Sequence, residues 1–126
     1  GAANLLNAQE SVYYSFYARM YERAGPLWKS KISQIPYRRG ITPGEYVTQV
    51  DVVYDSSGQL IDVRLLKSSG ISEFDLAVIQ TWRQLGKMPN PPKDLLDTQG
   101  EVHTGWSFHV HLGPGFRETM PPSQDY

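Results

Sequence analysis

Residues 45–67 read EYVTQVDVVYDSSGQLIDVRLLK, and this stretch decides the fold. Along 45–55, Tyr46, Thr48, Val50, Val52 and Tyr54 share one face, while Val47, Gln49, Asp51, Val53 and Asp55 share the other. A period of two with β-branched and aromatic residues predicts a half-buried strand. Asp55-Ser56-Ser57-Gly58 predicts a turn, with Gly58 suited to positive φ. Residues 59–67 form the return strand, with Ile61, Val63 and Leu65 opposing Asp62, Arg64 and Leu66. The two strands make a β-hairpin.

Upstream, Val12, Tyr13, Phe16, Tyr17, Met20, Ala24, Leu27, Trp28 and Ile32 recur at three- and four-residue steps. That pattern is one apolar stripe on a helix, with Asn7 or Ser11 as its cap. Gly25-Pro26 interrupts it without changing its phase. The prediction is one kinked helix or two short helices sharing a face. Residues 35–44, with Pro36, Gly40, Pro43 and Gly44, are a connector.

Downstream, Ser68-Ser69-Gly70 ends the hairpin. Ser72 is placed to cap a second helix, with Asp75 as its capping-box partner. Phe74, Ala77, Val78, Thr81, Trp82 and Leu85 form that helix's buried stripe, and Gly86 ends it. Met88-Pro89-Asn90-Pro91-Pro92 suits neither a helix nor a central strand. Residues 93–96 suit one helical turn. A last strand spans 102–112: Trp106, Phe108, Val110 and Leu112 face inward, and Ser107, His109 and His111 outward.

The element order α-β-β-α-β implies an α+β domain of two layers. The expected sheet is three-stranded and antiparallel, with both helices on one face. Its other face is solvated, because Asp51, Asp62, Arg64, His109 and His111 fall there. Residues 7–115 form a single domain, residues 1–6 a flexible lead or cloning remnant, and residues 116–126 a mobile tail.

The chain has 126 residues, enough for one core. A net charge of -1 provides no basic field for nucleic acid. With no cysteine, disulfide and thiolate chemistry are excluded. No apolar run approaches the ~20 residues of a membrane span.

His109 and His111 share a face, with His103 nearby, but zinc needs three or four ligands and the sequence places no further partner. Glu45, Asp51, Asp55 and Asp62 alternate with a buried face and should point to water, not into a pocket for acid–base work. Ser68, Ser69 and Asp75 are explained by a turn and a cap. No nucleophile elbow, phosphate loop or dinucleotide fingerprint is present, so no catalytic residue, metal or cofactor is assigned. Arg38-Arg39 beside Tyr37 is a candidate contact for an acidic partner.

An ordered set of short motifs resembles the C-terminal domain shared by TonB and TolA energy-transducing proteins. It comprises Gly44-Glu45-Tyr46-Val47, Val50 and Val52, Asp55-x-x-Gly58, Ser68-Ser69-Gly70 and Phe74-Asp75-Leu76-Ala77. It continues with Trp82-Arg83, the proline run 88–92 and Trp106-Ser107-Phe108-His109-Val110. The prolines and the long first helix lean toward TolA. The resemblance implies a non-enzymatic protein-binding domain in the periplasm, anchored to the inner membrane through a segment outside this sequence. Its partners would be outer-membrane or periplasmic proteins and an inner-membrane motor complex. In this superfamily the third strand is often an edge that accepts a partner's extended segment, a mode with its own physical basis. The candidate contact residues are therefore Trp106, Ser107, Phe108, His109, Val110 and His111, with Arg38 and Arg39. A free edge also permits a homodimer. The competing readings are a peptidoglycan- or carbohydrate-binding module using exposed Tyr and Trp, and a small metal-dependent enzyme built on the histidines.

Overall fold

A computed structural model of the chain describes residues 2–35, 41–113 and 116–125. Its first element is a single helix, α1, Ala2–Gln34. Phe16, Met20, Ala24, Trp28 and Ile32, each four residues apart, are buried, so the expected stripe is the core face. Gly25-Pro26 does not split the helix. Pro26 lacks the N–H that would bond back four residues, and Gly25 lacks the Cβ that a following proline ring would crowd. Residues 2–6, expected as a flexible lead, belong to α1, where their Ala and Leu favour the helix. Val12, expected in the stripe, is exposed.

Strands β1 (Gly44–Asp55) and β2 (Leu60–Lys67) form the predicted antiparallel hairpin. Its turn is organised by Asp55, whose Oδ1 accepts from Ser57 N, Ser57 Oγ and Gln59 N at 2.7–2.9 Å. Gly58 sits at φ 87°, and its carbonyl accepts from Met88 N at 2.8 Å. The turn is thereby docked on the proline segment that follows α2 (Ser72–Leu85).

The start of α2 corrects an expectation. Its N-cap is Ile71, with no side-chain cap, and Ser72 Oγ turns to Glu73 instead. Asp75 is buried and serves tertiary structure. The end follows expectation: Gly86, at φ 62°, donates its N–H to Trp82 O. A 3-10 turn, Lys93–Leu95, leads to β3 (Glu101–Gly113).

Among the described residues the sheet has four strands, not three, in the order β2-β1-β3-β4. The added strand β4 (Phe116–Asp125) is antiparallel to β3 and takes up nearly all of the segment expected to be a mobile tail. Pairing with the outer side of β3 satisfies backbone groups that would otherwise need water.

Both helices pack on one face. Phe16 meets Tyr54, Trp28 meets Phe108, Phe74 meets Tyr46, and Trp82 meets Trp106 and Phe108, all with ring centroids 5.1–6.2 Å apart. These large rings bury even-numbered residues of β1 and β3, including Val50, Val52, Val102 and Val110, and Val63 of β2.

Candidate functional site: sheet edges and outer face

The residues expected to contact a partner divide by strand parity. Trp106, Phe108 and Val110 are buried under the helices, so their side chains belong to the core. Ser107 is buried on the opposite face and accepts from Gln49 Nε2 at 3.2 Å. His109 is half-buried, its Nδ1 2.6 Å from Glu45 Oε1, and His111 is exposed. Arg38 and Arg39 lie outside the described residues.

The expectation that β3 is an edge is corrected. β3 is an inner strand, paired along its length with β1 and on its other side with β4. The second partner was not foreseen because Met120-Pro121-Pro122 reads as a strand breaker. An outermost strand tolerates prolines where the missing N–H would face solvent.

Those prolines mark the β3–β4 ladder. Pairing runs in register from Gly113↔Phe116 to His109↔Met120, shifts, and resumes from Ser107↔Ser123 to Gly105↔Asp125. Pro121 and Pro122 fall inside the shift and have no register partner on β3. Pro122 is nevertheless buried, with Cδ 3.9 Å from where a Cβ on Gly25 would stand. β4 is therefore held by two short ladders and a contact with α1.

The other outermost strand, β2, differs. It exposes Ile61, Leu65 and Leu66. Its register with β1 shifts on both sides of a short regular run, 62–65, leaving Ile61 and Leu66 as extra residues. Bulges and the charges of Asp62, Arg64 and Lys67 are the usual devices that discourage edge pairing.

The outer face carries a cluster that the sequence did not assemble. His103 Nδ1 lies 2.8 Å from Asp51 Oδ2 on β1. Its Nε2 lies 3.3 Å from Asp97 Oδ2 and 3.4 Å from Glu101 Oε1. The hydrogen bond to Asp51, aided by the charges of Asp51, Asp97 and Glu101, raises the imidazole pKa above its ordinary value. Asp97 is positioned by its own turn: Oδ1 accepts from Gln99 N at 2.8 Å and Glu101 N at 2.9 Å. Those backbone bonds, that from Glu101 foremost, hold its pKa low.

The carboxylates expected to point to water do lie outside the core, but all four have partners. Glu45 meets His109, Asp51 meets His103, Asp62 meets Arg64 and Asp55 closes its turn. Asp97 and Glu101 escaped the sequence reading; the available signal was Glu101 and His103 two apart on a strand, just after a turn opened by an Asp.

Residues 13–103 match the protein family described as TonB C terminal. The chain belongs to that family. The matched region runs from the first buried turns of α1 through the hairpin and α2 into β3, and stops short of β4. The chain is also similar to TolAIII in the solution NMR structure of TolAIII bound to a peptide derived from the N-terminus of TolB, at 19% identity and a TM-score of 0.41. That likeness covers 64% of this chain and 68% of the other. No curated protein sequence matches the chain.

Proposed function

We propose that this TonB C-terminal domain is a non-enzymatic periplasmic protein-binding module that takes up an extended segment of an envelope protein as an added strand. The docking place is the outer side of β3 from Gly105 to Gly113, now filled by β4. A partner strand would exchange with β4 or extend the sheet beyond it. The supporting observation is the interrupted β3–β4 ladder, in which Pro121 and Pro122 lack partners. A proline donates no ladder hydrogen bond, so a segment without prolines could pair more fully along β3. In this reading the backbones of Trp106, Phe108 and Val110 take part, while Ser107, His109 and His111 offer side chains. Family membership supports an inner-membrane anchor in the whole protein and an envelope partner.

The test is NMR of the labelled domain with a panel of extended peptides from outer-membrane and periplasmic proteins of the source organism. Amide shifts concentrated on residues 105–113 and 116–125, and tighter binding once the chain is cut after Gly113, are expected. Binding that moves only helix amides, or retention on purified cell wall with no peptide binding, would rule against strand addition at β3.

A further inference from the structure

We propose that Asp97, Glu101 and His103 form a divalent transition-metal site of the zinc type, with Asp51 as the residue that orients His103. Each of the three residues offers one ligand atom that lies within 4.8 Å of those of the other two. Four-coordinate zinc, with bonds of about 2.0–2.2 Å, places its ligand atoms about 3.3–3.6 Å apart. The two distances from Nε2, 3.3 and 3.4 Å, fall in that range. They are also longer than the ~2.7–2.9 Å of a well-formed charged hydrogen bond. His103 makes such a bond on its other nitrogen, at 2.8 Å to Asp51. The ring is thus held from behind, and Nε2 faces two carboxylates at the spacing of a metal's coordination edge.

A metal-bound histidine characteristically gives its second ring N–H to a carboxylate, which fixes the tautomer and strengthens the donor. Asp51 is placed for that role. The ligand set is also preorganised. Glu101 and His103 project from the same side of β3, and Asp97 is fixed by two backbone bonds to Oδ1, leaving Oδ2 to the site. Two carboxylates balance the charge of a divalent ion, and three protein ligands leave a fourth position for water. Arg64, opposite Asp51 on β2, is a cation near the site, and it is paired with Asp62 at 3.1 Å. The ion would cross-link the turn at 97–100 to β3. This proposal is independent of strand addition, which concerns the other end of β3.

The test is calorimetric titration of the untagged domain with Zn2+ near neutral pH. One ion per chain is expected, with affinity reduced at least about tenfold in Asp97→Asn and His103→Gln and about tenfold in Asp51→Asn. Affinity in His109→Gln should equal that of the parent. Replacing zinc with Co2+ should give the visible absorption of a four-coordinate site in the parent and not in His103→Gln. Absence of zinc binding by the parent, or equal binding by the parent and Asp97→Asn, would overturn the proposal. If His103→Gln does not fold, the two Asp→Asn variants and the cobalt spectrum of the parent still decide it.

Discussion

Thr48 Oγ1 donates to Asp75 Oδ1 across 2.8 Å, joining the middle of β1 to the first turn of α2. The same carboxylate accepts from Ser69 N at 2.9 Å and Ser68 Oγ at 2.5 Å. Burial pushes the Asp75 pKa up, but these hydrogen bonds outweigh it and hold the pKa below the ordinary carboxylate value of 3.8. A group with a depressed folded pKa contributes stability above its unfolded pKa and loses it as pH falls through the folded one. Asp75→Ala should cost about 2–3 kcal/mol at neutral pH, since it leaves several donors unpaired. Urea melts at neutral pH and at about pH 3 should show a shallower acid loss in Asp75→Asn than in the parent. The slope will not vanish, because Asp55 and Asp97 are also depressed.

Gly58→Ala should be severe for a turn position. A Cβ there would stand 2.1 Å from Met88 O, and the residue sits at φ 87°. The left-handed backbone alone costs about 1–2 kcal/mol, and the collision is with main chain, which yields poorly. A loss of about 3 kcal/mol or more is expected from chemical denaturation. Gly70→Ala, with φ 86° but nothing within 4 Å of its Cβ, should lose only the conformational part.

Tyr54→Phe should be neutral or stabilising by up to about 1 kcal/mol. The Tyr54 hydroxyl is buried with no hydrogen-bond partner among the described residues. Burial raises its pKa well above the usual phenol range, and the charge of Arg23 only partly opposes this. The substitution removes the stranded hydroxyl and keeps the edge contact with Phe16, whose centroid lies 6.2 Å away. Thermal melting of the pair decides it; a clear fall in Tm would mean that the hydroxyl has a partner in solution.

Phe108→Ala should cost about 3–5 kcal/mol. Its ring meets Trp28 of α1 at 5.1 Å and Trp82 of α2 at 6.0 Å, so it joins both helices to one strand. Ser107→Ala deletes one hydroxyl, which accepts from Gln49, and opens no core cavity, so it should cost about 1 kcal/mol. Equal losses from these adjacent substitutions, measured by urea unfolding, would contradict the division of β3 into a core face and an outer face.

The hairpin and both helices were legible because each carries its own period. Val50, Val52 and Tyr54 alternate, while Met20, Ala24, Trp28 and Ile32 step by four, and the structure buries all of them. Two local expectations failed for a shared reason. Ser72 and Asp75 have the spacing of a cap, and 116–126 has the composition of a tail. Each is decided by a neighbour distant in sequence: Thr48 draws in Asp75, and the outer side of β3 draws in β4.

The amino-acid sequence by itself determined the order of the elements from α1 to β3, the core stripe of each helix and the family, because hydrophobic period and turn chemistry act over a few residues. Tertiary structure alone decided which strand lies outermost and which side chains gather around His103. Strand order and cross-strand neighbours depend on register between segments up to dozens of residues apart. Asp51 and His103, 52 positions apart, meet only because β1 and β3 pair with Val53 opposite His103.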